Sequence, residues 1–224
     1  MDKNWVVFGG WAIEPQILEP IFGHKAIYLD INLIIQDIIQ DCRLMDNWAQ
    51  YLYNQHIAPL PEPIFLGGWS TGAIIALALA NQSKAKELVL LSSTQSFCRR
   101  PGFPHGTRPS VLSLMRNQLD ENHQTVLNQF LTRCGINSYE SKSHYSVNQL
   151  KNGLFFLEQA DLTGLDRFTG TGIAFHGNHD LVIPVEAGRL ASANAGCTFQ
   201  ELEGTHSFFI QHSETIKSII HKSM

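Results

Sequence analysis

Six short apolar or β-branched runs recur along the chain, at residues 5–8, 26–29, 64–66, 88–91, 172–175 and 197–202. The run LVLL at 88–91 shows no polar alternation, which is the pattern of a strand buried on both faces. Between and after these runs, residues 46–56, 71–81, 185–193 and 207–222 repeat apolar positions at helical spacing. Strands alternating with helices predict an α/β fold with a mostly parallel sheet of about six strands and helices on both faces.

The alternation breaks once. Residues 94–170 separate the fourth predicted strand from the fifth, a length far beyond a simple crossover. They open on a loop-like stretch, SFCRRPGFPHGTRPS, and continue with helical periodicity at 110–119, 121–134 and 146–160. An insertion of this size reads as a helical lid or small subdomain rather than a structureless loop. The expected organisation is a core of residues 1–93 and 171–224 with a lid of residues 94–170. No internal repeat or low-complexity tract interrupts it.

The third predicted strand runs into LGGWSTGAIIALALA, where Ser70 stands between Gly68 and Gly72 at the start of a strong helical pattern. A G-x-S-x-G match is common by chance, so its context decides. Strand, sharp turn and helix together form a nucleophile elbow, in which both flanking residues must be small. A serine hydroxyl needs a base, and in this architecture an acid and then a histidine follow the serine in chain order. HGNHDLVIP at 176–184 follows a predicted strand and places Asp180 in the loop after it. GTHSFF at 204–209 follows the last strand and places His206 before the final helix. Ser70, His206 and Asp180 are thus the expected nucleophile, base and orienting acid. The Thr71 N–H and the Trp11 N–H, the latter in the loop FGGWAIE at 8–14, are the expected oxyanion donors. Gly9 and Gly10 would let that loop approach a substrate carbonyl.

Competing residues read more blandly. Asp161 and Asp166 precede the fifth strand, His176 and His179 flank the acid as neighbours, and His212 and His221 fall in the last helix. Trp11 and Trp69 have the bulk to line an acyl pocket beside Ser70, or to serve packing alone.

Composition narrows the partners. With 16 Lys and Arg against 20 Asp and Glu, the net charge of −4 offers no basic footprint for nucleic acid. No apolar run reaches the length of a membrane span and no secretory leader is visible, so a cytoplasmic protein is expected. The four cysteines are scattered without a C-x-x-C pair, and no histidine spacing matches a zinc motif. Neither metal nor cofactor is expected.

Beyond these motifs, the chain resembles the α/β-hydrolases. Within them it is similar to the esterases that demethylate pimeloyl-acyl-carrier-protein methyl ester (the BioH type). The narrower likeness rests on GGW at 9–11, LGGWSTG at 66–72 and three lid segments: SSTQSFC at 92–98, RPSVLSLMRNQLDENHQTVLNQFL at 108–131 and LKNGLFFLEQADL at 150–162. The resemblance implies a serine carboxylic-ester hydrolase acting in biotin precursor synthesis through an acyl-enzyme, without a cofactor. Ser70, Asp180 and His206 match its triad, Trp11 and Thr71 its oxyanion positions, and Phe130 a lid aromatic of the acyl channel. That family's lid uses arginines to hold an acyl-carrier protein. Thr125 and Gln129 stand at the aligned positions here, leaving Arg108, Arg116, Arg133 and Lys142 as basic replacements. Two departures from the family's pattern are expected: the superfamily's N-terminal antiparallel strands are missing, and the stretch DINLIIQD after the second strand lacks the usual glycine-rich turn. Two alternatives stay open: another small-molecule esterase, thioesterase or C–C hydrolase of the same fold, and a non-catalytic scaffold for ligand or partner binding.

Overall fold

The computed structural model describes residues 3–136 and 145–223. Among these residues the sheet holds six strands: β1 (Trp5–Phe8), β2 (Ile27–Leu29), β3 (Phe65–Trp69), β4 (Glu87–Leu91), β5 (Thr171–Gly177) and β6 (Thr198–Leu202). Their order is β2-β1-β3-β4-β5-β6 and every ladder is parallel. Strand order reverses at β1, so the carboxyl ends of β1 and β3 flank the crevice where open parallel sheets bind ligands.

Each central strand divides its side chains between two cores. Val6, Phe8, Leu66, Leu88 and Leu90 face one side. Trp5, Val7, Phe65, Val89 and Leu91 face the other. Period-two alternation with apolar residues on both faces therefore produces the continuous apolar runs of the sequence. On the first side lies α1 (Thr71–Ala80), all ten residues of which are buried; a helix enclosed all round has no need of a polar face. On the second side α5 (Phe209–Ser223) buries Phe209, Ile216 and Ile220.

Between them in sequence come α2 (Pro109–Cys134), α3 (Val147–Gln159) and α4 (Val185–Ala195). The helices α2 and α3 form the long insertion after β4 and pack against each other. The two helices expected at 110–119 and 121–134 join into α2 across a kink at Asn122 (φ −154°, ψ 81°), whose Oδ1 accepts the Thr125 N–H at 3.1 Å and so caps the second half. Ser146 and Gln149 cap the start of α3 reciprocally.

Two expectations shift. Residues 31–45 form three short helical turns, Ile31–Ile34, Gln36–Gln40 and Cys42–Met45, where no helix was predicted. Ile31, Ile35 and Ile38 bury completely there, so the apolar run is helical packing. The helix expected at 46–56 forms as Trp48–Leu52 followed by a π-helical turn at Tyr53–Ile57. Among the described residues no helix is long and apolar enough to cross a membrane.

Candidate active site

Ser70 links β3 to α1 in a left-handed backbone conformation, φ 56° and ψ −119°. For a residue with a Cβ that geometry costs about 1–3 kcal/mol, which the surroundings must supply. They do so by close backbone approach. A Cβ at Gly68 would fall under 3.0 Å from Gly72, and one at Gly72 under 3.0 Å from the carbonyl oxygens of Phe8 and Gly9. The Ser70 N–H donates to the Leu91 carbonyl at 3.0 Å, tying the turn to the end of β4.

The acid and the histidine meet above the ends of β5 and β6. His206 Nδ1 lies 2.7 Å from Asp180 Oδ2, and both side chains are fully buried. Burial by itself raises the Asp180 carboxyl. The charge of His206 and hydrogen bonds from His176 and His206 outweigh it and hold the group well below the usual carboxylate range. An ionised Asp180 accepts only, so Nδ1 carries a proton, and in the neutral ring Nε2 presents its lone pair. Among the described residues Nε2 has no hydrogen-bond partner, Ser70 included. Such contacts are often long before substrate binds.

Asp180 is itself saturated. Its Oδ1 accepts the N–H groups of Val182 and Ile183 at 2.8 and 2.9 Å. Its Oδ2 is shared with His176, whose Nε2 lies 3.2 Å away and 2.9 Å from the Ile183 carbonyl. His176, expected as a bystander, is therefore a second donor to the acid; the i, i+4 spacing in HGNHD was its only trace in the sequence.

The His206 loop is anchored on both sides. Thr205 Oγ1 and Ser207 Oγ donate to the Cys134 carbonyl at 2.8 and 2.7 Å, and the Ser207 N–H joins them at 3.1 Å. Cys134 ends α2, so the insertion holds the loop that carries the histidine. The His206 carbonyl accepts from Trp69 Nε1 at 3.0 Å and from Ser92 Oγ at 3.3 Å.

Trp11 follows β1 and is also tied to the insertion. Its Nε1–H donates to the Leu150 carbonyl in α3 at 2.9 Å, and its ring meets Phe130 of α2 edge-on with centroids 4.8 Å apart. Among the described residues the backbone N–H groups of Trp11 and Thr71 have no acceptor. Thr71 opens α1, where amides lack intrahelical partners and the helix dipole is positive.

Ser70, Thr71, Trp11 and Phe130 line one cavity of about 230 Å³. Its walls are mainly apolar side chains of α2 and α3, and Leu114 and Leu181 stand exposed at its margin. Trp69 does not line it. Strand alternation turns this ring to the opposite face of the sheet, against Gly10, His206 and Phe209, where it is fully buried. Gly10 is small because the Trp69 ring lies 3.0 Å from where its Cβ would be, a contact within the protein rather than with substrate.

Among the described residues, the arginines of the insertion divide into engaged and free. Arg116 pairs with Glu158, Arg100 with Asp161 at 3.4 Å and with the Glu158 carbonyl, and Arg99 donates to the Gly106 carbonyl at 2.9 Å. Arg108 and Arg133 are exposed, and Arg133, like Gln129, lines the cavity. Thr125 is exposed on α2, and Lys142 lies outside the described residues. A larger hollow of about 800 Å³ lies elsewhere, beside Trp5, Phe22 and Lys217, and includes none of the expected site residues. Among the described residues no cluster suits a metal ion, and Cys98, Cys134 and Cys197 are buried free thiols.

Solved structures share this architecture. An esterase from Exiguobacterium antarcticum superposes with a TM-score of 0.76 at 17% identity, over 99% of this chain and 92% of the other. A hydrolase from Oleispira antarctica gives 0.79 at 12%, over 99% and 90%. The fold is that of the α/β-hydrolases. Among curated sequences, a pimeloyl-[acyl-carrier protein] methyl ester esterase from Nitrosomonas europaea is 26% identical over 203 residues, 81% of this chain and 79% of its own. Esterases of the same description are distant relatives over most of the chain. No family model matches.

Proposed function

We propose that the protein is a serine carboxylic-ester hydrolase. The observation that carries the reading is the buried Asp180–His206 pair, 2.7 Å apart with Nε2 unpartnered, at the same end of the sheet as the left-handed turn of Ser70. Ser70 Oγ attacks the ester carbonyl as His206 Nε2 takes its proton. The oxyanion is received by the N–H groups of Trp11 and Thr71, each such donor being worth about 10²–10³ in rate. His206 then protonates the leaving alcohol and activates the water that frees the acid. Asp180 keeps the tautomer and stabilises the imidazolium.

The substrate that best fits the site and the relatives is the methyl ester of pimeloyl-acyl-carrier protein, an intermediate of biotin precursor synthesis. The apolar cavity takes the acyl chain, with Phe130 and Trp11 at its wall. Helices α2 and α3 then act as the lid of a core formed by residues 1–93 and 171–224. Arg116 is held by Glu158, which leaves Arg108 and Arg133 to steer an acidic carrier protein toward the cavity mouth.

The test is methanol release from pimeloyl-acyl-carrier-protein methyl ester by wild type and Ser70→Ala, with a free short-chain ester in competition. Faster turnover of the carrier-bound ester, abolished in Ser70→Ala, supports the full reading. Cleavage of the free ester alone keeps the esterase and removes the carrier protein, with Thr125 and Gln129 as the reason. A folded protein that neither turns over ester nor labels at Ser70 with a fluorophosphonate is a binding scaffold.

A further inference from the structure

The loop that presents Trp11 is held by one buried amide. Asn32 is fully buried, and its Oδ1 accepts the Ala12 N–H at 2.8 Å while its Nδ2 donates to the Gly10 carbonyl at 3.3 Å. Ala12 is left-handed, φ 61°, a conformation a non-glycine residue keeps only when held. The Gly10 carbonyl and the Trp11 N–H belong to the same peptide plane. In a trans peptide they point in opposite directions, so fixing the oxygen on Asn32 aims the N–H away from it.

The amide is fixed in turn. Asp30 Oδ1 accepts both the backbone N–H and the Nδ2 of Asn32, each at 2.9 Å. Asp30 Oδ2 accepts the hydroxyl of Tyr145 at 2.6 Å, from the residue that precedes the cap of α3. Burial, and then the hydrogen bond to Asp30, push the Tyr145 hydroxyl up, so it remains a donor across the working pH range. Oδ1 of Asn32 faces an N–H and Nδ2 faces two oxygens, which leaves the amide a single orientation.

We propose that Asn32, oriented by Asp30 and clamped from the insertion by Tyr145, is a positioning residue that aims the Trp11 N–H at the oxyanion. This inference rests on the esterase reading and adds to it the residues that set the oxyanion geometry. It predicts that the insertion contributes to transition-state stabilisation through a hydrogen bond well removed from the reacting atoms. Substrate in its ground state gains little from that alignment, so the effect belongs in kcat.

The experiment compares wild type, Asn32→Asp and Tyr145→Phe. The readouts are kcat and KM on a short-chain ester, inhibition by a trifluoromethyl ketone that forms a tetrahedral adduct with the serine, and thermal midpoint. Asn32→Asp keeps the acceptor for Ala12 but turns the donor to Gly10 into an oxygen. Its kcat should fall about 10- to 100-fold with KM changed less than about 2-fold. Tyr145→Phe, a half-buried change that keeps the ring, should lose about 3- to 10-fold in kcat. In both, ketone affinity should fall by the same factor as kcat/KM. A fall in thermal midpoint with kcat and ketone affinity unchanged makes the network structural and overturns the proposal. If Asn32→Asp does not fold, Tyr145→Phe decides alone. Wild type without ester turnover or ketone binding removes the esterase reading and this inference with it. Active wild type matched by Tyr145→Phe removes only the inference.

Discussion

Replacing Asp180 by asparagine keeps the shape of the side chain and exchanges one acceptor oxygen for a donor nitrogen. The present carboxylate accepts four N–H groups, two from the backbone on Oδ1 and two from histidine rings on Oδ2. The single oxygen of an amide serves the backbone pair, because Val182 and Ile183 cannot change what they donate. Its NH₂ then faces both rings. His206 must turn Nδ1 into an acceptor, which moves the proton to Nε2 and removes the lone pair that would take the Ser70 proton. His176 can keep its Nε2 proton on the Ile183 carbonyl, 2.9 Å away, and loses only its contact with the acid. A wrong tautomer of this kind lowers kcat by about 10⁴, or about 5.5 kcal/mol at about 1.4 kcal/mol per decade. The assay is saturating hydrolysis of a p-nitrophenyl ester, with fluorophosphonate labelling of Ser70 slowing in parallel. Since the Asp180 carboxyl is held low, its contribution to stability is complete above its ordinary value of 3.8 and is lost as pH falls below it. Acid unfolding of Asp180→Asn should accordingly be less steep below about pH 4. A folded variant that keeps more than about a tenth of wild-type kcat would refute the assignment of Asp180 and His206.

Three further outcomes follow from packing. Gly72→Ala drives a Cβ against the Phe8 and Gly9 carbonyl oxygens, backbone that moves only if β1 moves. It should cost about 3 kcal/mol, a fall of about 6 °C or more in thermal midpoint, and an unchanged midpoint would contradict the close approach. Phe130→Ala removes the edge-on partner of Trp11, so KM for medium-chain esters should rise about 2- to 10-fold while acetate esters are little affected; equal effects on both chain lengths would place the acyl chain elsewhere. Burial raises the thiols of Cys98, Cys134 and Cys197, the last to about 11 against the opposing charge of Arg167. Peptide mapping after iodoacetamide treatment at pH 8 should find these three unmodified in the folded protein and alkylated after denaturation.

The parts of the fold legible in the sequence were those whose pattern follows from burial alone. Strands closed in on both faces must be continuously apolar, so β1, β4 and β5 stood out as runs. The elbow was legible because a serine between two glycines stands between a short apolar strand and a ten-residue apolar run long enough for a buried helix, and a sharp strand-to-helix turn needs small residues at both flanks. For Trp69 the sequence left pocket and packing both open: it is adjacent to Ser70 in sequence, and only the alternation of the strand turns it to the other face. Asn32 was invisible because its partners on the Trp11 loop are backbone groups of Gly10 and Ala12, and hydrogen bonds to backbone leave no mark in residue identities. The turns at residues 31–45 were missed because each is too short to establish a period. The pairing of Arg116 with Glu158 needed the packing of α2 on α3, which no spacing within either segment encodes.

A single carbonyl, that of Cys134, accepts three donors from the two residues on either side of His206. The following residue, Gly135, is left-handed and sits so close to Thr205 that a Cβ there would collide with its side chain. The segment between β4 and β5 is for that reason not an interchangeable module. A chimera that takes this segment from another hydrolase, to borrow its substrate range, brings a different joint to the histidine loop and loses alignment before selectivity is ever expressed. Grafts that retain Cys134, Gly135, Thr205 and Ser207 as one unit, and exchange only residues on the cavity side of α2, keep the joint intact.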